Sequence, residues 1–339
     1  MHYRKHLFLF VLLFINCVSC LHSEVDIFVD HDSRAWLKQY ERADALIKSK
    51  KAEDKALGQM RKKTLLCDIF RDTKWAITYG FLVDDDEVQL DPTQIVEIQL
   101  NTQVINEPTR IPSLRPRNIA AKVIVYNDDT IEVAEELLKK HGRSPLVLNI
   151  ANATIPGSKV EVGAEGQEES LFRRSSYYKA LLPSENVTLK KQLSKGRYQI
   201  PEFGVIYTPG VTFFRTCKKE GFSFCKPWSI DMVATAAYDL NNEPLQVLNS
   251  QDAYEANTKE KIRAILRTAY STKHNTLVLG AFGCGAQKNN PVIVSRLFKE
   301  VFQEVEFQGV FLEIAFAIYD DMSADSYTHF KNTLHGLRV

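Results

Sequence analysis

Residues 147–175 read V-L-N-I-A-N-A-T-I-P-G-S-K-V-E-V-G-A-E-G-Q-E-E-S-L-F-R-R-S, and two carboxylates lie side by side in them, Glu168 and Glu169. Adjacent carboxyls suit acid/base chemistry, because one can hold a proton while its neighbour stays an anion. Ahead of them an apolar run (Val147, Leu148, Ile150) gives way to a loop carrying Gly157, Gly163 and Gly166. A strand, a glycine-containing loop and a helix N-terminus together form a place to hold an anion. The pattern therefore points to proton transfer beside a phosphate. Carboxylates in the first turn of a helix also favour the helix by themselves; the neighbouring Gln167, Asn152 and glycines favour the chemical reading.

A second unit of the same kind occupies residues 276–301, T-L-V-L-G-A-F-G-C-G-A-Q-K-N-N-P-V-I-V-S-R-L-F-K-E-V. Gly280, Gly283 and Gly285 let backbone amides approach a ligand with no Cβ in the way. Two such loops on one edge of a sheet could grip a diphosphate from both sides, since ligands of open α/β sheets bind beyond the carboxyl ends of strands. Neither loop is a Walker loop, and neither has the full dinucleotide-binding spacing.

The elements that must position these loops alternate. Helical spacing covers residues 33 to about 70, with Asp32 or Ser33 as the cap, and residues 75–83 followed by 88–90 read as a hairpin around three aspartates. Strands are expected at 122–126, 146–150, 204–207, 232–236, 276–279 and 311–318, and helices at 130–141, 168–182, 258–271 and 291–305. The alternation argues for an α/β sandwich with a mixed or largely parallel sheet and helices on both faces.

The chain of 339 residues has a formal net charge of +1, with 45% hydrophobic and 25% charged residues. Nothing in that balance suggests direct DNA binding. The basic stretch from Lys48 to Lys63 reads as a solvated helix face. Arg4 and Lys5, an apolar run from Leu7 to Ile15 and Val18-Ser19-Cys20 have the layout of a secretory signal peptide, which predicts export. Cys20 also admits a lipoprotein reading, and only in that case is membrane attachment expected. Beyond the leader remain Cys67, Cys217, Cys225 and Cys284; Cys217 and Cys225 could pair in an oxidising compartment. Beyond the leader no His-x-x-x-His or Cys-x-x-Cys spacing supports a metal, and no cofactor is expected. Sequons occur at Asn152 and Asn186; the first lies within the suspected site, so modification there is not expected.

The stretch Asn149-Ile150-Ala151-Asn152-Ala153, Pro156-Gly157, Gln167-Glu168-Glu169-Ser170-Leu171 and Arg174-Ser175 resembles the signature of bacterial-type poly(ADP-ribose) glycohydrolases, which are macrodomain proteins. Further matches follow in order at 205–209 with Phe214-Arg215, at 231–237, at 279–286 and at 316–320, and residues 61–90 resemble the family's N-terminal extension. The resemblance implies a three-layer α/β/α macrodomain with a mixed, largely parallel sheet and an N-terminal helical extension. It divides the chain into a leader (1–20), an extension (21–115) and a glycohydrolase domain (116–339). It further implies hydrolysis of the ribose–ribose glycosidic bonds of poly(ADP-ribose), or action on ADP-ribosylated protein, with ADP-ribose as product. Glu169 would then be the catalytic carboxylate, its proton affinity raised by the substrate diphosphate and by Glu168, and Glu168 would hold ribose hydroxyls. Asn152 would bind the distal ribose. Gly157 and Gln167, with Gly283, Cys284, Gly285 and Ala286, complete the expected substrate-binding set.

This chain departs from the family in two places. Three glycines normally follow the proline equivalent to Pro156, and here the residues are Gly157-Ser158-Lys159. An aromatic often found after Gly-Cys-Gly-Ala is here Gln287. If Ser158 or Lys159 must be left-handed, a non-glycine residue costs on the order of 1–2 kcal/mol. Two other readings therefore stand beside hydrolysis of the polymer: an ADP-ribose-binding module with little turnover, and removal of single ADP-ribose units from protein.

Overall fold

Leu146–Ile150 and Thr276–Leu279 are mostly apolar and buried along nearly their whole length, and both lie inside a seven-stranded sheet. The computed structural model describes residues 29–112, 120–182, 196–241, 250–319 and 325–339. The leader with Cys20, the 115/116 division, the sequon at Asn186 and Asp320 lie outside the described residues.

The described helices are α1 (Ser33–Ile47), α2 (Ala52–Tyr79), α3 (Pro92–Asn101), α4 (Thr130–His141), α5 (Gln167–Arg174), α6 (Tyr177–Leu181), α7 (Gln251–Ser271), α8 (Pro291–Phe302) and α9 (Ser326–Leu334). The strands are β1 (Phe81–Val83), β2 (Asp86–Val88), β3 (Gln103–Ile105), β4 (Lys122–Tyr126), β5 (Leu146–Ile150), β6 (Val205–Arg215), β7 (Phe224–Thr235), β8 (Thr276–Leu279) and β9 (Glu313–Ala317). β1 and β2 form a separate hairpin, and the main sheet runs β3-β6-β7-β5-β8-β9-β4. The pairs from β7 to β4 are parallel, while β6 pairs antiparallel with both β7 and β3.

Side chains alternate across a strand, so each central strand feeds two cores. Leu146, Leu148, Leu277 and Leu279 pack with Ile265 of α7, Phe298 of α8 and Phe330 of α9. Val147 and Val278 face the other way, onto Leu137 of α4 and Phe172 of α5. The result is the expected three-layer α/β/α arrangement with a mixed, mostly parallel sheet and helices at the N-terminal end.

Several boundaries differ from the sequence reading. The helical pattern over 33–70 is two helices, broken at residues 48–51, and α2 continues to Tyr79. Residues 75–79 are therefore helix and not strand: Thr73 and Ala76 turn inward while Trp75 and Tyr79 face out, and Gly80 ends the helix at φ +88°. Gly58 permits the crossing of α1 and α2, since a Cβ there would stand 2.6 Å from the Ala43 carbonyl oxygen. The helix expected over 168–182 breaks at Ser175, where the chain turns extended to bridge Phe213 of β6 and Ser176 N donates to Thr212 O at 2.9 Å. The two short strands near 204 and 232 are the ends of one long hairpin, because an eight-residue connection can join only antiparallel neighbours. α3, β3 and α9 were not anticipated; the Asp91 cap with Pro92 behind it was a legible signal for α3.

Candidate functional site

β5 and β8 are parallel neighbours, so the loops that follow them leave the same edge of the sheet side by side. A Cβ on Gly280 would come 3.1 Å from Ile150 Cδ1, which shows how closely the two strand ends abut. The two glycine loops picked out in the sequence thus share one rim, at the carboxyl ends of the strands where open α/β sheets hold ligands.

Gln167, Glu168 and Glu169 open α5 directly above the end of β5. Gln167 spends both ends of its amide on that strand: Oε1 accepts from Ile150 N at 2.8 Å and Nε2 donates to Leu148 O at 2.6 Å. It acts as a strand partner that fixes the height of the helix start over the sheet.

Glu168 is 3% exposed. Its Oε2 accepts from Asn152 N at 2.9 Å, and its Oε1 from Asn149 Nδ2 at 3.2 Å and Tyr198 OH at 3.1 Å; the Gly157 amide also donates to the carboxylate. Burial pushes this carboxyl up to about 7; the amides of Asn152, Asn149 and Gly157 pull it down, and the charge of Glu169 adds to the rise. Glu169 is also buried, and its Oε1 accepts from Lys159 N at 3.4 Å. Gly166 lies hard against Glu169 Oε2, so a Cβ there would displace the Glu169 carboxylate.

The loop between β5 and α5 is pinned at several points. Asn152 Oδ1 accepts from Thr154 N and Ile155 N, both at 2.9 Å, which shapes the turn before Pro156. Gly157 has φ +73°, and a Cβ there would stand 2.6 Å from Phe172 Cδ1. Ser158 adopts φ +50°, so the position where the chain departs from the glycine pattern is indeed left-handed; Lys159, at φ −108°, is not. Gly163 packs against the Lys63 backbone of α2. Arg173, one turn beyond Glu169, is 2% exposed and donates to Leu66 O of α2 at 3.1 Å and Ala164 O at 2.7 Å. Burial lowers its guanidinium to about 10, and the charge of Glu169 opposes that fall. Glu165 accepts from Tyr40 OH and Lys218 Nζ, at 2.9 and 2.7 Å, and pairs with Lys62 at 3.2 Å. The loop is thereby braced by both N-terminal helices.

In the second loop Gly283 has φ +74°, and a Cβ would meet Asn289 Nδ2 at 2.5 Å and Ala237 Cβ at 2.6 Å. Buried Asn289 closes the loop: its Nδ2 donates to Tyr238 O at 2.7 Å and Gly283 O at 3.1 Å, and its Oδ1 accepts from Tyr254 OH at 2.7 Å. Cys284 points inward, and burial pushes its thiol up to about 12, so it lines the loop as an apolar group. Gly285 and Ala286 are exposed at the rim, and a Cβ on Gly285 would touch nothing. Cys217 and Cys225 are both free thiols. Among the described residues no cluster of His, Cys, Asp and Glu is placed to hold a metal ion.

The sequence reading missed Tyr198 and Asn149 as partners of Glu168, Arg173 as the brace and Asn289 as the staple. Asn149 carried a signal, being the one polar residue in the buried run of β5. Tyr198 carried none, because it reaches the site from 30 residues away.

The three-layer α/β/α fold carries a carboxylate pair and two glycine loops at one edge of the sheet. Residues 71–216 match the model of the microbial-type PARG catalytic domain, which bears out the resemblance to bacterial-type poly(ADP-ribose) glycohydrolases. The fold is similar to that of the glycohydrolase from Thermomonospora curvata, with a TM-score of 0.67 and 22% identity over 79% of this chain and 98% of that one. The same enzyme bound to the inhibitor ADP-HPD gives a TM-score of 0.64 at the same identity and coverage. The Deinococcus radiodurans glycohydrolase in complex with ADP-ribose gives 0.58, at 24% identity over 73% of this chain and 98% of that one. No curated protein matches the chain.

Proposed function

We propose that the protein hydrolyses the glycosidic linkages of ADP-ribose polymers, with Glu169 as general acid and then general base. The observation that carries this reading is the Glu168–Glu169 pair, held at the end of β5 where the glycine loops meet, within residues that match a glycohydrolase catalytic domain. Glu169, protonated, gives its proton to the leaving ribose oxygen as the C–O bond breaks. The oxocarbenium-like sugar is then attacked by water, whose proton returns to the Glu169 carboxylate. A substrate diphosphate cradled by Gly157 and by Gly283 to Gly285 would stabilise the developing positive charge. Asn152 and Glu168 would address the ribose.

The test is product analysis with polymer and with mono-ADP-ribosylated protein, wild type against Glu169→Gln. Release of ADP-ribose by the wild type, with a drop of roughly 10²–10⁴-fold in the variant, is expected. Equal release by both would discard the mechanism.

A second reading, binding with little turnover, is favoured by the left-handed Ser158 and the exposed Lys159 beside Glu169. Calorimetry with ADP-ribose separates it from loss of the site: tight binding without product supports it. Preferential release from mono-modified protein would instead mark a protein-linked substrate. The leader pattern at residues 1–20 supports export, which N-terminal sequencing of the mature protein tests.

A further inference from the structure

Glu168 is the most enclosed acidic group of the site, and what surrounds it decides whether it works as an anion. Tyr198 lies in the segment that closes over it. Arg197 N donates to Leu181 O at 3.2 Å and Ile200 N to Ala153 O at 3.0 Å, so the backbone on both sides of Tyr198 is tied, once to α6 and once to the β5–α5 loop. Between these ties the Tyr198 ring packs against the core around Tyr177 and Phe172, and its hydroxyl donates to Glu168 Oε1 at 3.1 Å. The other donors to Glu168 are an amide side chain and two backbone amides. Among the described residues the titratable groups facing Glu168 are Glu169 on its own helix, Tyr177 on α6 and Tyr198, and no cation touches it.

We propose that Tyr198 is a positioning residue of the site: its hydroxyl, donated to Oε1, orients the Glu168 carboxylate and favours its anion against burial, so that the pair divides into one acceptor for ribose hydroxyls and one proton donor. Burial disfavours the anion of such a carboxylate, the hydrogen bonds it accepts favour it, and bonds to an ionised group are the strong ones. Removing one of them shifts the balance toward the protonated acid. Two neighbouring protonated carboxyls would leave the ribose hydroxyls without their acceptor. The proposal rests on the glycohydrolase reading for its consequence in turnover, and its first readout is independent of that reading.

The experiment compares the full chain with Tyr198→Phe, a change that deletes one oxygen and keeps the ring. Carboxyl-labelled glutamate is followed by carbon NMR across pH in the ligand-free protein, with the Glu168 signal assigned by its loss in Glu168→Gln. The Glu168 midpoint is expected to rise by about one pH unit in Tyr198→Phe, roughly a tenfold change in proton affinity. Turnover of polymer then falls about fivefold near neutral pH and recovers about one to two units higher, in proportion to the ionised fraction. A tyrosine that merely filled space would lower thermal stability and leave the midpoint where it was. An unchanged midpoint overturns the proposal, whether or not the wild type is active. An inactive wild type with a shifted midpoint overturns the glycohydrolase reading and leaves the role of Tyr198 in holding Glu168 intact.

Discussion

Glu168 should make this protein lose stability as pH rises from acid to neutral, the reverse of the usual behaviour of a paired carboxylate. In the folded protein burial raises its pKa from the ordinary 4.5 to about 7. Between those values the folded protein keeps a proton that the unfolded chain has released, so stability falls with increasing pH. The contribution is fully present below the unfolded value and is lost once pH passes the folded one. At about 1.4 kcal/mol per unit, the displacement amounts to about 3 kcal/mol. The assay is urea unfolding of wild type and Glu168→Gln at a series of pH values from about 4.5 to about 8. The glutamine loses acceptor capacity toward Asn149, Asn152 and Tyr198, which adds a constant offset. The stability difference between the two proteins should nonetheless change by about 3 kcal/mol across this range, moving in favour of the variant at high pH. A difference that stays flat within about 0.5 kcal/mol would refute the argument that burial, and not the four donors, dominates the charge state of this carboxyl.

Ser158→Gly should stabilise the protein by roughly 0.5–1 kcal/mol in denaturant titration, because it relieves the left-handed backbone at φ +50°. The same variant should raise turnover if this loop limits catalysis. Gly157→Ala should cost about 3 kcal/mol, since the new methyl meets the Phe172 ring and the backbone stays at φ +73°; thermal unfolding reads it directly. Arg173→Lys keeps the charge and loses the fork that spans Leu66 O and Ala164 O, so a loss of about 2 kcal/mol is expected together with a fall in kcat larger than any change in KM.

The N-terminal helices matter to these outcomes. Tyr40, Lys62, Lys63 and Leu66, on α1 and α2, all precede the residues that match the glycohydrolase family, yet each touches the loop that leads into the carboxylate pair or the arginine that braces it. In sequence the basic stretch from Lys48 to Lys63 read as a solvated helix face. Its positive charges are in part committed: Lys62 pairs with both Asp44 and Glu165. The segment before residue 115 also supplies β3, an edge strand of the main sheet paired with β6.

What the sequence determined by itself were the local features. The runs of β5 and β8 had to be strands buried on both faces, because every residue in them except Asn149 and Thr276 avoids water. The two glycine loops had to follow them, and the Gln-Glu-Glu triplet had to open a helix. The left-handed backbone at Ser158 could also be posed as a question from the missing glycine. Only the tertiary structure decided how these parts meet. It placed β5 beside β8, turned the Gln167 amide onto the strand instead of outward, and brought Tyr198 onto Glu168 from across the fold. It also assigned the raised carboxyl to Glu168, because proton affinity in a buried pair depends on which oxygens lose water and which donors replace it. Those are properties of packing between segments distant in the chain, and no spacing along a single stretch of residues encodes them.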